Sequence, residues 1–269
     1  VPVLQTTIEG IALVYDDAER EAAALIGEAC ARAARLLREE WGLATPPDLQ
    51  VHVMTAWLRF AFQSAPWHWR PLLAVTLPLW ALRERRIWPV AGGWALSYGR
   101  RRVVGIKPPW LLQQADRRLG ERVFIPIEDI NQKVQHVTCH ELTHAFAAHL
   151  RLPVWLNEGL AMLAVDRFAG QPTVRPDTLD ALARAAQSGQ PAPRGVRYAR
   201  DPDALVAQYV RGYWLTRYLD ETHPALLREV LSRRRGRAAL EGEIAAACGI
   251  APDEFHREIE RAAIAHFCQ

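Results

Sequence analysis

The sequence is poor in cysteine, nearly balanced in charge and without any long apolar run, and each shortage closes off a class of protein. Its four cysteines, Cys30, Cys139, Cys248 and Cys268, follow neither a metal-knuckle nor a redox spacing. Such scarcity fits a reducing compartment, although a bridge between Cys248 and Cys268 stays open. The formal net charge is only +3, from 33 basic and 30 acidic side chains, too weak to imply a polyanionic partner. The longest apolar stretch, Pro71 to Leu82, is too short to span a bilayer and contains two prolines. It reads as a buried element, with a surface that dips into an interface as the alternative. No sequence repeat is present. Because the chain begins at Val1, a preceding segment is expected to have been removed, and the lack of a leader carries no weight.

What is present is apolar bulk. Half of the 269 residues are hydrophobic and 23% are charged, which excludes disordered and fibrous classes. Seven of the ten tryptophans lie between Trp57 and Trp110, and most are expected in the core. Three basic runs, Arg83 to Arg86, Arg100 to Arg102 and Arg233 to Arg237, read as solvated turns or helix ends. The alternative is contact with anionic lipid through the Trp/Arg-rich segment. No nucleic-acid partner is expected, because neither a zinc-finger spacing nor an aromatic RNA motif accompanies the basic runs.

Val3 to Ile8 and Ile11 to Tyr15 predict two short strands around Gly10. Asp16 or Asp17 then caps a helix reaching about Glu40, with Ala22, Leu25, Ile26, Ala29, Ala33, Leu36 and Leu37 in one apolar stripe and Gly42 at its end. Further strands are expected at Leu49 to Met54, Trp94 to Tyr98 and Arg102 to Ile106, with another apolar run at Val123 to Ile127. A helix capped by Asp129 or Asn131 follows, reaching about Leu150. Beyond Pro153 the pattern is helical, near 154–168, 177–187, 202–221, 224–234, 237–247 and 252–266, with turns at Gly170, Gly189 to Gly195, Gly236 and Gly249. The fold class is therefore α+β. Residues 1–150 form an N-terminal lobe with a small mixed sheet and helices, and 151–269 an all-helical lobe, together one unit with a cleft between them.

Within the helix before Pro153 stands His140-Glu141-Leu142-Thr143-His144. Residues four apart share a helix face, so both imidazoles can converge on one ion. Glu141, one step round, stands beside that ion, where it can take a proton from water. A catalytic zinc needs a third protein ligand and an open position. His149 is one candidate, but it lies nine residues after His140 and suits a helix end. The metzincin pattern that would use a later histidine is not met, since Ala147 and Leu150 occupy its glycine and last histidine positions. Glu158 is the better third ligand: the helix breaks at Pro153, and a short reversal brings the next first turn back across the histidines.

The motif followed by Trp155-Leu156-Asn157-Glu158-Gly159-Leu160-Ala161 resembles the gluzincin metallopeptidases, particularly the peptidase-MA-like proteins and, more distantly, the M1 aminopeptidases and thermolysin-like enzymes. The resemblance implies a zincin-like catalytic fold with zinc on His140, His144 and Glu158, and Glu141 as general base. It also implies an oxyanion-stabilising tyrosine. Tyr209-Val210-Arg211-Gly212-Tyr213 nominates Tyr209, with Tyr213 as runner-up. Three departures accompany the likeness. His144 and Glu158 are only fourteen residues apart, and the Gly-Ala-Met-Glu-Asn element that grips a substrate amine is missing. Met162 stands where thermolysin-like enzymes place a histidine-supporting aspartate, with Asp166 a weak substitute.

The expected function is a zinc metallopeptidase acting on a peptide or protein substrate, and within that class an endopeptidase. The strand near Arg102 to Ile106 is the candidate for pairing with an extended peptide. A zinc hydrolase of non-peptide amides or esters, and a non-enzymatic zinc-containing binding module, are the alternatives. The compartment stays open, with secreted, periplasmic or membrane-associated locations favoured over the cytoplasm.

Overall fold

A computed structural model describes residues 2–76, 87–115, 120–187 and 201–268. Its architecture is α+β, a small mixed five-stranded sheet joined to a larger set of helices. The strands are β1 (Val3–Ile8), β2 (Ile11–Asp16), β3 (Leu49–Val53), β4 (Gly93–Tyr98) and β5 (Arg101–Ile106), in the spatial order β1-β2-β3-β5-β4. The β1/β2 and β4/β5 hairpins are antiparallel, whereas β2/β3 and β3/β5 are parallel.

Between β2 and β3 runs α1 (Arg20–Trp41), which buries Ala22, Ile26, Ala29, Ala33 and Leu37 at helical spacing. It ends at Gly42, whose left-handed φ of 66° lets its N–H reach the Arg38 carbonyl. The start differs from the expected cap. Neither Asp16 nor Asp17 caps α1; a 3-10 turn at Asp17–Glu19 leads in, and Asp16 takes two hydrogen bonds from Arg59 at 2.5 and 2.7 Å. That fork binds α2 (Trp57–Ser64) to β2.

The motif lies on α3 (Ile130–Ala147), which packs against α1, β4 and β5. Asp129 caps it by accepting from the Asn131 N–H at 2.8 Å. It stops three residues before the expected Leu150, which closes a turn by donating to the Ala147 carbonyl. The chain then passes through Arg151, left-handed at φ 54°, and enters α4 (Val154–Ala169) after Pro153. Next come α5 (Thr178–Gln187), α6 (Pro202–Thr222), α7 (Pro224–Ser232), α8 (Arg237–Ala247) and α9 (Phe255–Phe267). One continuous buried cluster runs from Ile11 in β2 to Ala263 in α9, so sheet and helices share a core.

The apolar run Val123 to Ile127 forms one β-bridge, Phe124 to Val174, and Ile125 is exposed. All four cysteines are free, so Cys248 and Cys268, left open by the sequence, are not bridged. Two expectations of burial are corrected. Of the tryptophans between Trp57 and Trp110, Trp57 is buried, but Trp67, Trp69 and Trp110 are exposed. The apolar stretch from Pro71 is not buried where it is described: residues 70–76 are helical, and Leu72 and Val75 face solvent with no element packed over them among the described residues. The run Arg83 to Arg86, the rest of the apolar stretch and the turn at Gly189 to Gly195 lie outside the described residues.

Candidate metal centre

His140 and His144 project from one face of α3, and the reversal through Arg151 and Pro153 returns Glu158, in the second turn of α4, onto them. The Nε2 atoms of the two histidines are 3.0 Å apart. Glu158 Oε2 lies 3.6 Å from the first and 3.5 Å from the second. A point equidistant from these three atoms is about 2.0 Å from each, the bond length of a divalent transition metal to imidazole and carboxylate ligands. Glu158 Oε2 is buried without a hydrogen-bond partner, which costs stability unless something positive sits against it. The donor set and this orphaned oxygen fit a metal ion.

Electrostatics agrees. Burial opposes charging His144, but the adjacent Glu158 carboxylate outweighs it and lifts the imidazole to about 9. Burial likewise works against the Glu158 charge, and His144 overrides it, holding the carboxyl well below the usual range. The pocket thus stabilises positive charge between these side chains. A proton supplies it in the metal-free chain, and a cation would replace that proton.

Glu141 is not one of the three converging groups. Its carboxyl is pushed up, first by burial and then by the Glu158 charge, against the pull of the two imidazoles. It fits there because Gly93 opens β4 with no side chain: a Cβ at that position would stand 2.6 Å from Glu141 Cγ.

A second close contact sets the far wall. A Cβ on Gly159 would lie 2.1 Å from the Gly212 carbonyl oxygen and 2.1 Å from Thr216 Oγ1, and one on Gly212 2.5 Å from the Trp155 carbonyl oxygen. The backbones of α4 and α6 therefore touch at a glycine–glycine crossing. Glu158 sits one residue before it on α4 and Tyr209 three residues before it on α6, so the same crossing places both.

Tyr209 lines the cleft of about 490 Å³ that also exposes His140, Glu141, His144 and Glu158. Tyr213 does not: it is fully buried, and its hydroxyl donates to Asp166 Oδ2 at 2.6 Å. That excludes the runner-up and also occupies Asp166, whose other carboxylate oxygen accepts from the Thr173 N–H and hydroxyl. Neither Met162, in the core, nor Asp166 supports a histidine. Asn157 does so instead, with its side-chain amide 2.9 Å from His144 Nδ1. The amide nitrogen Nδ2 is the atom that faces the ring; with His144 Nε2 turned toward a metal, Nδ1 carries a proton, and a flip of the Asn157 amide presents its oxygen as the acceptor. His149 is exposed, and its Nδ1 donates to the Phe146 carbonyl at 2.9 Å, away from the centre.

The cleft's other side is β4, through Gly93, Trp94, Ala95 and Ser97. The strand near Arg102 to Ile106, the candidate for pairing with an extended peptide, has no open edge: β5 is flanked by β3 and β4, and among the described residues β4 is the edge strand on this side of the sheet. Among the described residues lining the cleft, the carboxylates are Glu141 and Glu158; Asp129 is spent on its helix cap and Glu128 is exposed elsewhere.

No family model, curated protein or solved structure matches this chain.

Proposed function

We propose that this chain is a zinc-dependent metallopeptidase of the gluzincin type, folded as a zincin and acting as an endopeptidase. The observation that carries this reading is the convergence of His140, His144 and Glu158 on one point at the wall of an open cleft, with Glu141 beside them. Two imidazoles and one carboxylate form a zinc donor set that leaves a position for water or substrate. Zinc held there would acidify water and polarise a carbonyl oxygen.

The chain's own residues supply the rest. Glu141, its proton affinity raised by burial, accepts a proton from the attacking water and delivers it to the leaving nitrogen. Tyr209, placed by the glycine crossing, donates a hydrogen bond to the carbonyl oxygen as negative charge builds there. One such donor contributes about 2.7–4 kcal/mol in other hydrolases. Asn157 holds the His144 ring in orientation through Nδ1. The edge of β4 is positioned to hold an extended substrate by main-chain hydrogen bonds, which favours a peptide over a small amide or ester.

The endopeptidase assignment rests on the cleft's charge. Among the described residues, a free ammonium group entering it meets no carboxylate beyond Glu141 and Glu158, which are committed to the metal and the water, so its desolvation goes uncompensated. The test compares one peptide with a blocked and with a free amine, using zinc-loaded chain and its Glu141→Gln variant. Internal cleavage of the blocked peptide, lost in Glu141→Gln and on chelation, is the expected result. Stepwise release of residues from the free-amine peptide alone would refute the endopeptidase reading, and no hydrolysis of any peptide by zinc-loaded chain would refute the peptidase.

A further inference from the structure

Away from the cleft, exposed apolar side chains are concentrated in one short stretch. Leu58 and Phe62, one turn apart on α2, are 48% and 40% exposed. Trp67 follows at 80% and Trp69 at 37%, and on the helical residues 70–76 Leu72 and Val75 reach 55% and 78%. Arg70 joins the two helical pieces, its guanidinium 5.5 Å from the Phe62 ring centroid and its Nε donating to the Ala65 carbonyl. Single exposed hydrophobic residues are ordinary, but six within eighteen residues of chain require a reason.

Charge indicates what kind of surface this one meets. Between Asp48 and Asp116 the sequence holds nine basic residues and a single acidic one, Glu84. That segment carries a formal +8 in a chain whose total is +3. Not all of this charge reaches the surface free: Arg59 pairs with Asp16 and Arg101 with Asp48, Lys107 is buried with its ammonium donating to the Trp88 carbonyl, and Arg83, Arg85 and Arg86 lie outside the described residues. Arg70 and Arg100 are exposed and have no carboxylate partner among the described residues. A second copy of the same surface would bring like charges face to face, which disfavours a symmetric dimer. Indole and phenyl rings on a basic background suit the headgroup layer of a bilayer with anionic lipid. Among the described residues no helix is long and apolar enough to cross a membrane.

We infer that α2 and residues 67–76 dock this protein onto an anionic lipid surface, with Trp67, Leu72 and Val75 entering the interface and Arg70 contacting headgroups. The surface adjoins the cleft's edge strand, because Trp69 packs edge-on against Tyr98 at the end of β4, ring centroids 5.8 Å apart. This inference does not depend on the proposed peptidase activity.

Sedimentation with vesicles tests it on the whole chain. The protein should pellet with vesicles of phosphatidylcholine mixed with phosphatidylglycerol and far less with phosphatidylcholine alone. Raised salt should weaken the binding without abolishing it. Combining Trp67→Ala, Leu72→Ala and Val75→Ala should weaken binding at least about tenfold while leaving the melting temperature unchanged, because these side chains are already solvated. In the unaltered chain, bromine-labelled lipid chains should quench indole emission, and Trp67→Phe should remove the largest share of that quenching. Absence of binding to either vesicle, equal binding by the triple variant, or unchanged quenching in Trp67→Phe overturns the proposal. So does a dimer that the triple substitution splits while vesicles leave it untouched.

Discussion

Replacing Gly159 with alanine plants a methyl group where two helices already touch. The new Cβ would stand 2.1 Å from both the Gly212 carbonyl oxygen and Thr216 Oγ1, and 2.6 Å from the Gly212 carbonyl carbon. Normal contact needs the helices to part by about 1 Å. Thr216 can rotate, but the Gly212 carbonyl belongs to α6 and moves only with the helix. Overpacking of this kind costs about 1–3 kcal/mol, and a backbone neighbour puts Gly159→Ala at the upper end. A loss of about 3 kcal/mol corresponds to roughly 6–12 °C in melting temperature for a chain of this size. The displacement also has a direction that matters. It separates Tyr209 on α6 from Glu158 on α4, and about 1 Å of misplacement can cost on the order of a hundredfold in rate. Thermal denaturation of Gly159→Ala measures the first consequence and turnover of its folded fraction the second, with metal titration as the control. Reduced melting temperature with near-normal metal affinity is expected, because His140, His144 and Glu158 keep their α3–α4 relation. A variant as stable as the parent would show that α4 and α6 do not meet backbone to backbone, and the placement of Tyr209 would fall with that contact.

The remaining predictions concern the centre and its supports. In the metal-free chain, His144 is raised above its unfolded value of 6.5, so its stabilisation is complete below pH 6.5 and disappears as pH rises through about 9. Glu158 is depressed, so its stabilisation is present above its ordinary value of 4.5 and disappears as pH falls. Urea midpoints should therefore fall between pH 6 and pH 9, by the equivalent of about 3 kcal/mol, and added metal should reverse that slope because it binds neutral imidazole; a flat metal-free profile contradicts the pairing. Asn157→Ala should weaken metal binding about 10–100-fold with the fold intact, read by competition with a chelating dye, and unchanged affinity would remove Asn157 from its supporting role. Tyr213→Phe should lower stability by about 1–3 kcal/mol by stripping a partner from half-buried Asp166, with turnover of the folded fraction retained. Tyr209→Phe should do the reverse, and slow turnover in Tyr213→Phe alone would contradict both assignments.

Much of the frame was legible because periodicity survives in single elements. The stripe from Ala22 to Leu37 marked α1, the pair Asp129 and Asn131 marked the start of α3, and Pro153 marked the reversal toward Glu158. What escaped was relative placement. Asn157 is adjacent to Glu158 in sequence, and no pattern shows that its amide meets His144 Nδ1. Gly93, Gly159 and Gly212 mattered through what stands against them in space. The edge strand was left unassigned although a signal existed: Val103, Val104, Gly105 and Ile106 form an unbroken buried run, as an internal strand should, whereas β4 alternates. The tryptophan-rich segment misled for a different reason. Apolar content implies burial only if another element covers it, and composition does not record whether one does.

The zinc assignment is tested most directly by an X-ray anomalous difference map at the zinc edge, from crystals of the Glu141→Gln chain grown with zinc. One peak is predicted, at about 2.0–2.2 Å from His140 Nε2, His144 Nε2 and a Glu158 carboxylate oxygen, with Asn157 against His144 Nδ1 and the remaining position facing the cleft. An absent peak, or one held by His149 in place of Glu158, would contradict it.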